Sequence, residues 1–89
     1  MIKFPGKLIY GGTSHCALKY ASMKKHPVSD QDLVAMFPTK FSEKWYARRA
    51  MNVLVKHGYA KRKEDKIQIT MLGDRYLASL AKHYVGEFK

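Results

Sequence analysis

Apolar residues recur with a helical period over most of this chain and alternate only once, between Tyr59 and Thr70. Thr13 or Ser14, after the stop at Gly11-Gly12, can cap a first helix running to about Lys25 or His26. Its apolar side is Ala17, Leu18 and Ala21, with Tyr20 and Met23 at the edge, and Pro27 ends it. Ser29 starts a second helix through Phe37, with Asp32 three residues after the cap, both acids near the positive dipole end, and Leu33, Val34, Met36 and Phe37 as its apolar face. Pro38 closes it, and a third helix follows from Ser42 to His57. Tyr59 to Thr70 then reads as a hairpin with Ile67 and Ile69 on one face. Thr70 can cap a last helix carrying Leu72, Tyr76, Leu77, Leu80, Ala81 and Tyr84, with Gly73 allowing close packing near its start. Ile2–Phe4 and Leu8–Tyr10 are two β-prone pieces around Pro5-Gly6. They either pair with the hairpin or form a surface arm resting Lys3 and Lys7 on phosphate.

The Ser42 helix has both ends marked, by Ser42 as cap and by Gly58 as the residue that takes the left-handed conformation. On a helical wheel Ala47, Ala50, Met51, Leu54 and Gly58 gather on one side. Trp45, Arg49, Asn52 and Lys56 fall opposite, with Lys44 and Arg48 on a flank. The first set belongs to folding and faces the first two helices, whereas the second presents cations and an amide outward. Trp45 is assigned partly to the core rather than to the outward set, because large aromatics near a helix start tend to bury.

Charge sharpens this picture. The 89 residues hold 17 Lys and Arg against 7 Asp and Glu, a formal net charge of +10 that repels itself unless a polyanion or an acidic partner neutralises it. Residues 1–28, 29–38, 39–66 and 67–89 sum to +5, −2, +6 and +1, so two basic blocks flank a short acidic segment. A hydrophobic fraction of 46% is too high for a disordered basic tail, and the length suits one domain, residues 1–89, with an arm or strand at 1–12, a core at 13–70 and a final helix at 71–89. One cysteine, Cys16, precludes an internal disulfide. With no apolar run long enough for a membrane span and no signal-peptide pattern, the expected setting is cytoplasmic, and the basic excess, for which nucleic acid is the commonest partner, makes it nucleoid-associated.

Three helices followed by a basic hairpin resemble the winged helix-turn-helix domains of bacterial and phage transcription regulators over roughly residues 13–77. The resemblance rests on Pro27-Val28-Ser29 with Asp32-Leu33-Val34, on Leu54-Val55-Lys56-His57-Gly58-Tyr59, and on Ile67-Gln68-Ile69-Thr70 with Gly73. It implies a mainly α fold with a small β-hairpin (α+β), three helices plus a basic wing and a C-terminal helix. It further implies a recognition helix, Ser42–His57, in the major groove of double-stranded DNA and a wing, Lys61–Lys66, on the backbone. The DNA-contacting set is then Lys40, Ser42, Lys44, Arg48, Arg49, Asn52, Lys56, Lys61, Arg62, Lys63 and Lys66. Arg pairs bidentately with guanine and Asn with adenine, so Arg49 and Asn52 are the base readers and the remaining cations are phosphate contacts.

Catalysis finds no support in the sequence. His15 and Cys16 are adjacent and so do not face each other on a helix, the four histidines lack ligand spacing, and Gly11-Gly12 lacks a phosphate-loop pattern. No enzyme activity, metal or cofactor is expected. Two alternatives stay open, a winged-helix adaptor for an acidic protein partner and an RNA-binding module. The last helix either returns to the core or presents Leu77, Leu80, Tyr84 and Phe88 to a second copy in a homodimer.

Overall fold

The computed structural model describes residues 4–9, 11–24 and 26–85, with the side chains of the last helix as far as Leu80. The elements are α1 (Thr13–Met23), α2 (Asp30–Met36), α3 (Lys44–Lys56), β1 (Ala60–Lys63), β2 (Lys66–Ile69) and α4 (Met71–Val85). They make a small α+β domain of four helices and a two-stranded antiparallel hairpin. Val28, between α1 and α2, adds one antiparallel bridge to the outer side of β2, exchanging both backbone bonds with Ile67 at 2.7 and 2.9 Å. The hairpin is thereby fastened to the α1–α2 connection as well as to α3.

Local signals explain most of the element ends. Ser29 and Asp32 form the reciprocal capping box of α2, at 3.0 and 3.2 Å. Gly58 sits at φ +79°, where its N–H bonds the Val55 carbonyl and the Tyr59 N–H bonds that of Leu54, the pattern that closes a helix with a left-handed residue. Thr70 caps α4 by accepting from the Gly73 N–H at 3.1 Å while donating its hydroxyl to Gly58. Gly73 is required by contact, since a Cβ there would lie 2.1 Å from the Tyr59 carbonyl oxygen.

The core gathers Leu18 of α1, Val28, Leu33 of α2, Phe41, Met51 and Leu54 of α3, Tyr59 and Ile67, all fully buried. Each such side chain contributes about 1.5–3 kcal/mol by leaving water. Ala47 and Ala50 are also buried, so α3 meets α1 and α2 through small residues, as its wheel requires. Tyr76 of α4 is buried, and Leu72, Leu77 and Leu80 pack against the same core. The returning arrangement of the last helix is the one found. Phe88 and the side chain of Tyr84 lie outside the described residues.

Several expectations need correction. Ser42 does not cap α3; it is exposed, and the helix starts two residues later with Glu43 as N-cap. Glu43 is extended and its carbonyl takes the Tyr46 N–H, but its carboxylate accepts from the Trp45 indole and so makes no side-chain cap. Neither Thr13 nor Ser14 caps α1. Gly12 holds that position, and the free Gly11 N–H goes to Nδ1 of His15 at 2.9 Å. The α1 helix ends at Met23, because Lys24 is already extended; Lys25, one of the expected end points, lies outside the described residues. Met23 and Met36 are exposed rather than on apolar faces.

The arm is no strand among the described residues 4–9, nor is it loose. Leu8 is buried, its N–H bonds the Tyr76 hydroxyl at 2.7 Å, and the Tyr59 hydroxyl donates to the Gly6 carbonyl. Phe4 stands edge-on to both tyrosines, which stack at 4.4 Å. Burial raises the Tyr59 hydroxyl pKa, against the Gly6 bond that lowers it and with Tyr76 adding to the rise. Lys3 and Tyr10, part of the arm expectation, lie outside the described residues.

Candidate nucleic-acid interface

The outward side of α3 is built by its period. With Ala47, Ala50, Met51 and Leu54 buried, Trp45, Arg49, Asn52 and Lys56 are left on the opposite face, and all four are exposed. Lys44 and Arg48 lie on the flank toward α2. The other flank, Val53 and the turn at His57, borders the arm: Val53 shares a small cavity with Lys7, Leu8 and Ile9, and Gly6 packs on the His57 ring. The α3 helix therefore runs between a docked arm on one side and α2 with the hairpin on the other.

Between α3, the start of α2 and the hairpin lies an open groove of about 600 Å³. It brings together five of the expected contact residues, Lys44, Arg48, Asn52, Arg62 and Lys66, with Ser29, Asp30, Gln31, Asp32, Met51 and Asp65. Arg48 is not a free cation there. Its Nε donates to Asp30 Oδ2 at 2.7 Å, with the arginine side chain 65% exposed and the aspartate 15%. Burial pushes the Asp30 carboxyl up, but the Arg48 and Gln31 hydrogen bonds and the charges of Arg48 and Lys44 outweigh it. The net result is a carboxyl below its ordinary value. Asp32 is spent on the capping box.

Asn52 is also engaged. Its amide oxygen accepts from the Arg62 guanidinium, tying the middle of α3 to β1. The register places Arg62 opposite Ile67, on the core-facing side of the hairpin. Arg62 thus shares a face with buried Ile67 and reaches Asn52 with its head. A bidentate pair with adenine needs both polar atoms of Asn52, and one is already taken.

On the other face of the hairpin stand Lys61, Lys63 and Lys66, exposed, with Lys63 directly opposite Lys66. Like charges facing each other weaken a strand pair. The tip is also strained, because Glu64 takes φ 58°, a left-handed conformation that a glycine fills without cost. Glu64 and Asp65 leave the tip less cationic than the flanking lysines suggest.

Two expected residues fall elsewhere. The Lys40 ammonium donates to the Gly11 carbonyl at 2.7 Å, beside the start of α1, and is not part of the groove. Ser42 precedes the helix and offers no cap. Conversely, the sequence reading set aside Trp45, which the structure exposes by 49%, stacked on Tyr46, itself 40% exposed, at 4.0 Å between centroids and 26° between planes. The wheel already held that signal, since Trp45 shares a stripe with Arg49 and Lys56. The pairing of Arg48 with Asp30, 18 residues earlier, had no local signal.

Among the described residues no cluster of three or more His, Cys, Asp or Glu side chains is arranged to hold a metal ion, and no helix is long and apolar enough to cross a membrane. No protein-family model matches the chain, and comparison with curated proteins and with solved structures found no match.

Proposed function

We propose that this chain is a small winged helix-turn-helix DNA-binding protein that acts as a transcriptional regulator, with α3 in the major groove and the hairpin as its wing on the backbone. The observation carrying this reading is that Arg49 and Lys56 stand exposed on one outward stripe of α3, beside a hairpin whose Lys61, Lys63 and Lys66 share an exposed face. The element order supports it. Three helices and a hairpin follow one another without interruption, an order compatible with the winged-helix arrangement that the motifs resemble. The net charge of +10 supplies the attraction.

Arg49 is the base reader in this scheme. Asn52 instead holds Arg62, and through it the angle between recognition helix and wing. Lys44, Lys56, Lys61, Lys63 and Lys66 neutralise phosphates, and Arg48 does so only when released from Asp30.

Fluorescence anisotropy with a random-sequence duplex, titrated at salt from about 50 to 200 mM, tests the reading. Binding should weaken steeply with salt, and Lys56→Ala should shallow the log–log slope by roughly 0.9. Sequences selected from a random pool should lose about 1–3 kcal/mol of preference at one position on Arg49→Ala. No duplex binding at low salt, or affinity and slope untouched by both substitutions, refutes it.

A further inference from the structure

We infer that the stacked Trp45–Tyr46 pair is a platform for an unpaired nucleobase, so that the α3 face takes single-stranded nucleic acid, or a base displaced from a duplex, at its N-terminal end. The inference deepens the nucleic-acid reading of this face and rests on it. Neighbouring residues on a helix point about 100° apart. A stack at 4.0 Å and 26° therefore needs the indole drawn sideways, and the Glu43 carboxylate does this by accepting from Trp45 Nε1 at 2.7 Å. The ring pair is thus held by stacking on one side and by a charged hydrogen bond at its edge, yet Trp45 remains 49% exposed. An aromatic surface that is both fixed and wet suits a third ring.

Charge selects the kind of ring. Lys44 precedes Trp45 and Arg49 lies one turn further along the same stripe, both exposed, so cations stand before and after the indole along the helix, while the Glu43 carboxylate at its edge is taken up by the indole N–H. A nucleotide satisfies both at once, with its base on the indole and its phosphates on Lys44 and Arg49. An apolar protein surface would cover the ring only by stripping water from those two cations, which costs more than it returns. A base paired inside a duplex offers no face, because its neighbours in the stack cover both sides, so the occupant within a strand is an unpaired or extruded base.

Trp45 is the sole tryptophan, so its emission reports on this site alone. The full chain is titrated with an oligothymidylate of about twelve nucleotides, with an abasic strand of equal length, and with a blunt mixed-sequence duplex of roughly several hundred pairs, in which the two exposed end pairs are a negligible share of the sites. Emission and the anisotropy of labelled strands are read together. Oligothymidylate should quench the emission. The abasic strand should bind roughly 5- to 150-fold more weakly without quenching and with the same salt slope, since its phosphates are retained. Trp45→Leu, its fold verified by circular dichroism, should abolish the difference between the two strands.

Oligothymidylate binding that leaves emission unchanged overturns the inference, as does equal affinity for the abasic strand or equal quenching by the blunt duplex. If the duplex still binds in those cases, the proposed function stands without the platform. Absence of binding to all three ligands overturns both.

Discussion

Asp30→Asn should strengthen binding to polyanions, because it releases Arg48. In the wild-type protein the Arg48 guanidinium is held 2.7 Å from Asp30, so one cation of α3 is already neutralised. Asparagine retains an oxygen to accept from the Gln31 N–H, a bond that Asp30 Oδ1 makes at 2.8 Å, and does not disturb the capping box of Ser29 and Asp32. The formal charge rises by one from +10. If the freed Arg48 engages one phosphate, the slope of log affinity against log salt steepens by about 0.9. Over a fourfold change in salt that slope amounts to about 3.5-fold, so the advantage of the variant should shrink by this factor from about 50 to 200 mM.

Stability should fall only modestly. An acid in the first turn contributes about 0.3–1 kcal/mol, and a screened surface pair about 0.2–1 kcal/mol. Urea denaturation measures that loss, and anisotropy with a duplex measures the slope. Arg48→Ala alone should leave the slope almost unchanged, and the double variant should return to the wild-type slope, closing a cycle that isolates the pair. A slope unchanged or shallower in Asp30→Asn refutes the reasoning. Acid should reproduce the release only in part. The Asp30 carboxyl is held below its ordinary value, so the pair is fully present above the usual carboxylate range and is lost as pH falls through that lowered value.

Three further substitutions or conditions follow from the packing. Gly73→Ala gains about 1 kcal/mol of helix propensity but sets a methyl 2.1 Å from the Tyr59 carbonyl, so a net loss of about 1–3 kcal/mol is expected in urea denaturation, and a gain in stability would show that α4 moves freely. Glu64→Gly relieves about 1–2 kcal/mol of left-handed strain at φ 58° against about 0.4–1 kcal/mol of added unfolded-state entropy, so a net gain of up to about 1 kcal/mol is expected while an acid leaves the tip; a lower melting temperature contradicts this. Burial, aided by Lys19, lowers the pKa of His15, whose neutral Nδ1 accepts from Gly11. Stability from His15 is therefore present above its unfolded pKa of about 6.5 and is lost as pH falls through the lowered folded value. In melting curves His15→Gln should flatten the pH dependence over that window, and an unchanged profile would exonerate the imidazole.

What the sequence disclosed was local, and what it hid was mostly tertiary. The Ser29–Asp32 box, the Gly58 turn, the Thr70 cap and the buried stripe of α3 were legible because each depends on residues within a turn or two. The start of α3 was misplaced because a serine before the helix is a good cap only when no neighbour settles the turn otherwise. Here the extended Glu43 takes the position while its carboxylate is drawn to Trp45. The docking of the arm depends on Tyr59 and Tyr76 hydroxyls reaching across 53 and 68 residues, and no periodicity encodes such bonds. For the candidate site, the wheel identified the exposed stripe but could not say which polar heads were already engaged. Arg48, Asn52 and Lys40 all have partners that lie on other elements.

These partners divide the face of α3 into two electrostatic halves. On the α2 side, Lys44, Arg48, Arg62 and Lys66 share the groove with Asp30, Asp32 and Asp65, so most of the positive charge is offset by nearby carboxylates. On the outward stripe, Arg49 and Lys56 have no carboxylate across from them in that groove, and Trp45 continues the line toward the helix start. A polyanion is drawn to the half whose charge is not offset. Its path should therefore follow Trp45, Arg49 and Lys56 along the crest of α3, with Lys61 and Lys63 meeting it at the hairpin and Lys44, Lys66 and a released Arg48 reaching it from the rim of the groove. The groove also holds a brace: Asn52–Arg62 fixes the hairpin against α3, and the crest stays free to bind. Removing the brace, as in Asn52→Ala, should loosen the hairpin and reduce affinity without making the salt slope shallower, whereas removing a crest cation should reduce both. Equal loss of slope in the two variants would place the polyanion in the groove instead.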